Sequence, residues 1–149
     1  MTSSNSPFTF LTRVRYGECD AQMVVFNARY GDYADLAATE FFRALFGGLH
    51  ALLERGLDMQ VAHYSIDWKA PARFDDVLGV RVQAGHIGTT SFTLHMEFFV
   101  AGSASTIAQV KLVYVMVNNP GFTKTPIPDD VRAGLQRGAP GVVMNQSGT

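Results

Sequence analysis

The sequence predicts an α+β domain in which one long helix lies against an antiparallel sheet. Three observations carry this. Helical periodicity occupies one long stretch near the N-terminus, residues 28–46. Four β-like runs follow, at about 58–70, 76–87, 90–101 and 104–118. The breaks between those runs are short.

Taken in order, residues 1–7 are rich in Ser with one Pro and predict a flexible start. Residues 8–16 alternate loosely, contain β-formers and predict a first strand; residues 17–26 predict a loop. Asn27 is a good N-cap for the helix that follows. Tyr30, Ala34, Ala37, Phe41 and Leu45 recur at steps of three or four, and Asp32 and Asp35 sit where the helix dipole favours acids. Alanine on the apolar side lets the helix lie close to a sheet. Gly47-Gly48 ends it, and a shorter helical piece runs from Leu49 to Arg55.

In the third run, Phe92, Leu94, Met96, Phe98 and Val100 alternate with Ser91, Thr93, His95, Glu97 and Phe99. The breaks at Pro71–Asp76, Gly88-Thr89 and Gly102-Ser103 imply antiparallel neighbours. Ile107 to Val117 is apolar on both faces, which predicts a central strand or a face used in oligomerisation. Four prolines (Pro120, Pro126, Pro128, Pro140) mark the tail. A short helix near Asp129–Leu135 is expected there, then a flexible end from about 137. No repeat or second domain is visible, so 1–149 reads as a single domain.

Composition removes several function classes. The chain has 149 residues, 47% apolar and 17% charged, with net charge −1. There is no global pull towards nucleic acid or anionic membrane, and no run long enough to span a bilayer. The only cysteine, Cys19, excludes an intrachain disulfide and fits a reducing compartment; with no signal-peptide pattern, a cytoplasmic protein is expected. The four histidines show no metal spacing, and no Walker, Rossmann or nucleophile-elbow motif occurs.

The stretch Tyr16–Tyr30 carries the chemistry. It sets a carboxylate, Asp20, seven residues ahead of Asn27. A helix N-terminus offers free N–H groups and positive potential, so it can polarise a carbonyl. The acid can attack that carbonyl or activate a water beside it. Asp20 also suits a plain turn, and Glu40 with Arg43, three residues on, suits an ordinary helix pair.

Two motifs extend this into a resemblance. The first is Tyr16-x-x-x-Asp20-x-x-x-Val24-Val25-Phe26-Asn27-x-x-Tyr30, with Glu40 and Arg43 beyond it. The second is Ile66-Asp67-Trp68-Lys69-Ala70-Pro71-Ala72-Arg73-Phe74-Asp75-Asp76. A third, weaker one is Gly88-Thr89-Thr90-Ser91-Phe92. Over residues 8–128 the chain resembles the hotdog-fold thioesterases of the 4-hydroxybenzoyl-CoA thioesterase type.

The resemblance implies a sheet wrapped around the helix, and hydrolysis of an acyl-CoA or acyl carrier protein thioester to a free acid and thiol. Asp20 would be base or nucleophile, with Glu40 its rival because some members of this fold use a carboxylate on the helix, and backbone N–H groups near Asn27 the oxyanion hole. Val25, Phe26 and Tyr30 would line the substrate. Lys69 and Arg73, with Arg29, would meet the phosphates of CoA, and Thr89, Thr90 and Ser91 its nucleotide or pantetheine arm. It implies no metal or redox cofactor, and a homodimer or homotetramer whose sites draw on two subunits. Met23 stands where the family usually has Gly, which predicts a different loop path and a narrower mouth. Cys19 replaces a more usual small polar residue. Two alternatives remain: a hotdog dehydratase, which needs a His beside the acid, and a non-catalytic acyl-thioester binder, which Met23 favours.

Overall fold

In a computed structural model that describes residues 6–149, the strands are β1 Phe8–Arg13, β2 Leu57–Trp68, β3 Val77–Ile87, β4 Ser91–Val100, β5 Thr106–Asn118 and β6 Val143–Asn145. The helices are α1 Tyr30–Phe46, α2 Leu49–Leu53 and α3 Asp129–Arg137. The flexibility expected of residues 1–5 falls outside the described residues. One sheet forms in the order β2–β5–β4–β3–β1–β6. All neighbours are antiparallel except β1 and β6.

Period-two alternation puts one apolar row after another on the face turned to α1. Phe10 pairs with Val80, Val80 with Phe98, Phe98 with Ala108 and Ala108 with Trp68. The opposite face carries the polar row Arg81, Glu97, Gln109 and Asp67. α1 lays Tyr30, Ala34, Ala37 and Phe41, all buried, on the apolar face. The three buried alanines of α1 add little bulk, so the helix sits low on the sheet. Gly47 ends α1 in the left-handed conformation at φ 85°, and its N–H returns to the Arg43 carbonyl.

Three expectations are corrected. The short Pro71–Asp76 connection does not make β2 and β3 neighbours: β2 pairs with β5, two strands away from β3. The chain leaves the sheet there because Ala72 and Arg73 pair with the Asp20 loop, through Val25 N–H to the Ala72 carbonyl and a bridge between Val24 and Arg73. Next, the end of the chain is ordered into β6, parallel to β1 with Phe10 opposite Met144. Local propensity could not show that, because the partner strand lies more than a hundred residues away. Third, α1 begins at Tyr30, and Asn27–Arg29 form a single 3-10 turn whose cap is Phe26. β5 does occupy an interior position, as its two apolar faces predict.

Candidate active site

The Asp20 loop folds as a small hairpin. Cys19 bridges Val25, Asp20 N–H donates to the Val24 carbonyl at 2.9 Å, and Met23 N–H donates to the Asp20 carbonyl at 2.9 Å. The Asp20 carboxylate accepts the Gln22 N–H at 2.8 Å through one oxygen. Its other oxygen takes part in no hydrogen bond among the described residues, and the side chain is half-buried. The second arm of the hairpin runs into Asn27 within two residues of Val25. The bridge therefore ties the arm that carries the acid to the arm that leads into α1, while Asp20 itself is not among the residues that line the cavity at that entry.

At that entry the N–H groups of Asn27 and Ala28 donate to no backbone carbonyl, whereas Phe26 donates to Glu18 and Arg29 to Phe26. The Asn27 side chain caps nothing, contrary to expectation; the 3-10 lead-in moves it one turn ahead of α1. Both free N–H groups stand at the positive end of a 17-residue helix. A cavity of about 460 Å³ opens beside them, lined by Val25, Asn27, Tyr30, Trp68 and Lys69 and by Ala70 and Pro71.

Glu18 holds the loop to the helix. It accepts the Arg15 N–H at 2.8 Å and the Tyr33 hydroxyl at 2.7 Å. Burial, then the charges of Asp20 and Glu18, push the Cys19 thiol above its ordinary range, which disfavours the thiolate. Met23 takes φ 61°, the left-handed conformation that glycine adopts freely. The side chain at this position does not keep the backbone out of that region, at a cost of about 1 kcal/mol.

Of the sequence-predicted residues, Val25, Asn27, Tyr30 and Lys69 come together around the cavity. Phe26 borders the turn with its ring about half exposed but is not among the lining residues. Arg73 lies across from Val24, while Arg29 is paired with Asp32 at 3.4 Å. Thr89, Thr90 and Ser91 do not join them. Met116 N–H donates to the Thr90 carbonyl, so this turn sits at the Met116 end of β5, whereas Trp68 pairs with Ala108 at the other end. The eight intervening steps span about 26 Å at ~3.3 Å each. Glu40 is also remote, about 15 Å along α1 from Tyr30 at ~1.5 Å per residue. It is buried with both oxygens on Arg43 Nε, at 3.1 and 3.2 Å.

Sequence reasoning missed Trp68 and the Glu18–Tyr33 pair. Trp68 was findable, since alternation from Ile66 puts it on the inner face. The Glu18–Tyr33 contact leaves no periodic trace. A second cavity of about 460 Å³ lies on the outer sheet face, among Asp67, Arg81, His95, Glu97 and Lys111. It lacks a free helix end, and Arg81 and Thr106 already engage Glu97 at 2.8 and 2.7 Å. No cluster of three or more metal-ligating side chains occurs among the described residues.

The fold agrees with the comparisons. Residues 14–135 match the model of the thioesterase-like superfamily. The chain belongs to that superfamily. It is similar to a putative esterase of Aquifex aeolicus, with 26% identity over 80% of this chain and 92% of the relative. It is also similar to the acyl-CoA thioesterase YbgC of Haemophilus influenzae, with 36% identity over 54% of this chain; that match spans only 60% of the relative. The solved structure of the gentisyl-coenzyme A thioesterase BH1999 superimposes with a TM-score of 0.74, covering 83% of this chain and 98% of that one at 27% identity. The expected hotdog architecture is thus established. The superfamily match ends before β6, so the C-terminal strand is an addition to the matched region.

Proposed function

We propose that this chain hydrolyses acyl-CoA thioesters, with Asp20 acting on a carbonyl held at the Asn27 turn. The observation that supports the reading is the Cys19–Val25 bridge, which joins the arm carrying a carboxylate with an uncommitted oxygen to the arm that leads into two N–H groups with no backbone partner among the described residues. The thioester names of the relatives above support it.

The substrate carbonyl oxygen accepts from the Asn27 and Ala28 N–H groups. Negative charge that grows on it is met by fixed dipoles; one such donor is typically worth about 10²–10³ in rate. Asp20 then works in one of two ways. As nucleophile it bonds to the carbonyl carbon, the thiolate leaves and takes up a proton, and water cleaves the resulting anhydride. As base it takes a proton from water while the water oxygen bonds to that carbon; the tetrahedral adduct then collapses, the carbon–sulfur bond breaks, and the leaving thiolate takes up the proton. Both routes end in free acid and thiol. Lys69 and Arg73, which enter no ion pair among the described residues, face the phosphates of CoA. The distance of Glu40 and its pairing with Arg43 support Asp20 as the acid.

A second copy completes the site. No residue of β2 is buried, and Val61, Tyr64 and Trp68 are 52%, 42% and 50% exposed on a strand bonded on one side only. Such an edge is a template for another strand. Two β2 strands paired antiparallel about a two-fold axis would bring the Thr89–Ser91 end of one copy towards the Trp68 end of the other.

Thiol release from a panel of acyl-CoAs tests the reading, comparing the wild type with Asp20→Asn. Release by the wild type alone is expected. Equal release by both would remove Asp20 from the chemistry. A single turnover in heavy-oxygen water separates the routes, since only the nucleophile leaves label in the Asp20 carboxylate.

A further inference from the structure

The two arms of the Asp20 hairpin are held from different sides. The arm that runs into Asn27 is fixed to the turn after β2. Val25 N–H donates to the Ala72 carbonyl at 2.9 Å, Val24 bridges Arg73, and Phe74 N–H donates to the Met23 carbonyl at 3.1 Å. The arm that carries Asp20 makes one side-chain hydrogen bond to α1 among the described residues, from the Tyr33 hydroxyl to Glu18 Oε1 at 2.7 Å. Resting on the thioesterase reading above, we propose that Tyr33 and Glu18 are positioning residues for the reaction. Their bond sets where the Asp20 carboxylate stands relative to the N–H groups of Asn27 and Ala28.

Glu18 is placed to hold that spacing. Its Oε1 accepts two donors at once, the Tyr33 hydroxyl and the Arg15 N–H at 2.8 Å. Its carbonyl accepts the Phe26 N–H at 2.9 Å, next to Asn27. One residue thus meets the start of its own arm, the opposite arm and the helix. Tyr33 is buried, and its ring meets that of Tyr30 edge to face at 6.3 Å, so packing fixes where the hydroxyl stands. The Arg15 side chain is 70% exposed and belongs to the same loop, so it supplies no fixed point.

The contact lies close enough to reach the chemistry. Asp20 is two residues from Glu18, at most about 7 Å of chain. The bonds of Asp20 itself run to Gln22, Met23 and Val24, all inside the hairpin, and they travel with it. The bridge to Val25 keeps the arms together, and the Tyr33 bond sets their tilt against α1. Misplacing a reacting group by about 1 Å costs up to about 10² in rate.

The test uses the full chain and five variants: Tyr33→Phe, Glu18→Ala, Glu18→Gln, Asp20→Asn and the double variant Asp20→Asn with Tyr33→Phe. Gln keeps a carbonyl oxygen for both donors, whereas Ala removes it. Hydrolysis of butyryl-, octanoyl- and benzoyl-CoA gives kcat and KM, and circular dichroism shows that each protein is folded in the assay. Amide exchange followed by mass spectrometry reads the motion of residues 16–26. Tyr33→Phe and Glu18→Ala are each expected to lower kcat about tenfold and to leave KM within about twofold, because the residues lining the cavity are untouched. Exchange is expected to quicken in residues 16–26. Glu18→Gln is expected to stay within about threefold of the wild type. In the Asp20→Asn background Tyr33→Phe is expected to cost nothing further, since a positioning residue acts only through the group it positions.

A wild-type kcat in Tyr33→Phe and Glu18→Ala, whatever their stability, overturns the proposal and leaves the bond a purely structural one. An equal fall in kcat with and without Asp20 also overturns it. So does a raised KM at unchanged kcat, which would give Tyr33 to substrate binding. If Asp20→Asn is inactive while Tyr33→Phe is fully active, the positioning alone falls. If Asp20→Asn turns over like the wild type, or the wild type cleaves none of the three thioesters, the reading of the site falls and the positioning with it.

Discussion

The Tyr33 hydroxyl of α1 donates to the Glu18 carboxylate at 2.7 Å, and through this bond the helix holds the loop that carries Asp20. Tyr33 is buried, and Glu18 gives its other interactions to Arg15. Tyr33→Phe keeps the ring and removes the donor, so stability is expected to fall by about 1 kcal/mol. Urea unfolding of the variant checks this, and an unchanged midpoint would show that the bond does not hold the loop.

The same group makes stability depend on pH. Burial first, then the hydrogen bond to Glu18, pushes the Tyr33 pKa above its ordinary value of 10.0. Burial likewise raises Tyr30, Tyr64 and Tyr114, with a nearby acid adding to the last two. A raised folded pKa means that the stabilising contribution is complete below the unfolded pKa. Above about pH 10 the unfolded chain gives up these protons and the folded one keeps them, so folding weakens as pH rises. Urea midpoints should fall beyond about pH 9, first through the Cys19 thiol, which is raised in the same sense, and then more steeply through the phenols. A midpoint steady to about pH 11 would contradict the burial of these phenols.

Met23→Gly is expected to stabilise the chain by up to about 1 kcal/mol. It removes a side chain from φ 61°, although glycine also frees the unfolded chain. Thermal unfolding reads the change. A loss of stability would mean that the Met23 side chain, 41% exposed, makes contacts worth more than the strain.

Asp20→Asn should keep the fold and lower turnover at least about 10²-fold, the effect of losing a positioned acid–base group. Glu40→Gln should do the reverse. It leaves turnover near the wild type and weakens the pair with Arg43, a stability effect of about 1 kcal/mol or less for a partner so exposed. Steady-state kinetics beside urea unfolding separates the two. A loss of turnover in Glu40→Gln with Asp20→Asn unaffected would exchange their roles.

Deleting the chain from Ala139 onward removes β6 and the bonds from Thr9 N–H to the Val142 carbonyl and from Gln146 N–H to the Leu11 carbonyl. The β1 edge then lies open at the end of the sheet opposite the already open β2. Light scattering at rising concentration should show association beyond the wild-type state. Identical scattering would mean that β1 needs no cover.

Most of the framework was legible because it is local. Tyr30, Ala34, Ala37 and Phe41 announce α1 by spacing alone, and Phe92 to Phe98 announce β4 by alternation; both patterns are properties of adjacent residues. The same holds for Asp20, Asn27, Tyr30 and Lys69, which lie within or beside motifs readable along the chain. What the sequence by itself determined is thus the elements from β1 to α3 and the family of chemistry.

Only the tertiary structure decided how the elements meet. It separated Thr89–Ser91 from the Asn27 turn by the length of β5 and sent β2 to β5 instead of β3. It also tied the last strand to β1 and Tyr33 to Glu18. These pairings join residues far apart in sequence. Their strength depends on the burial and edge geometry of the finished sheet, which no single segment carries in its own pattern.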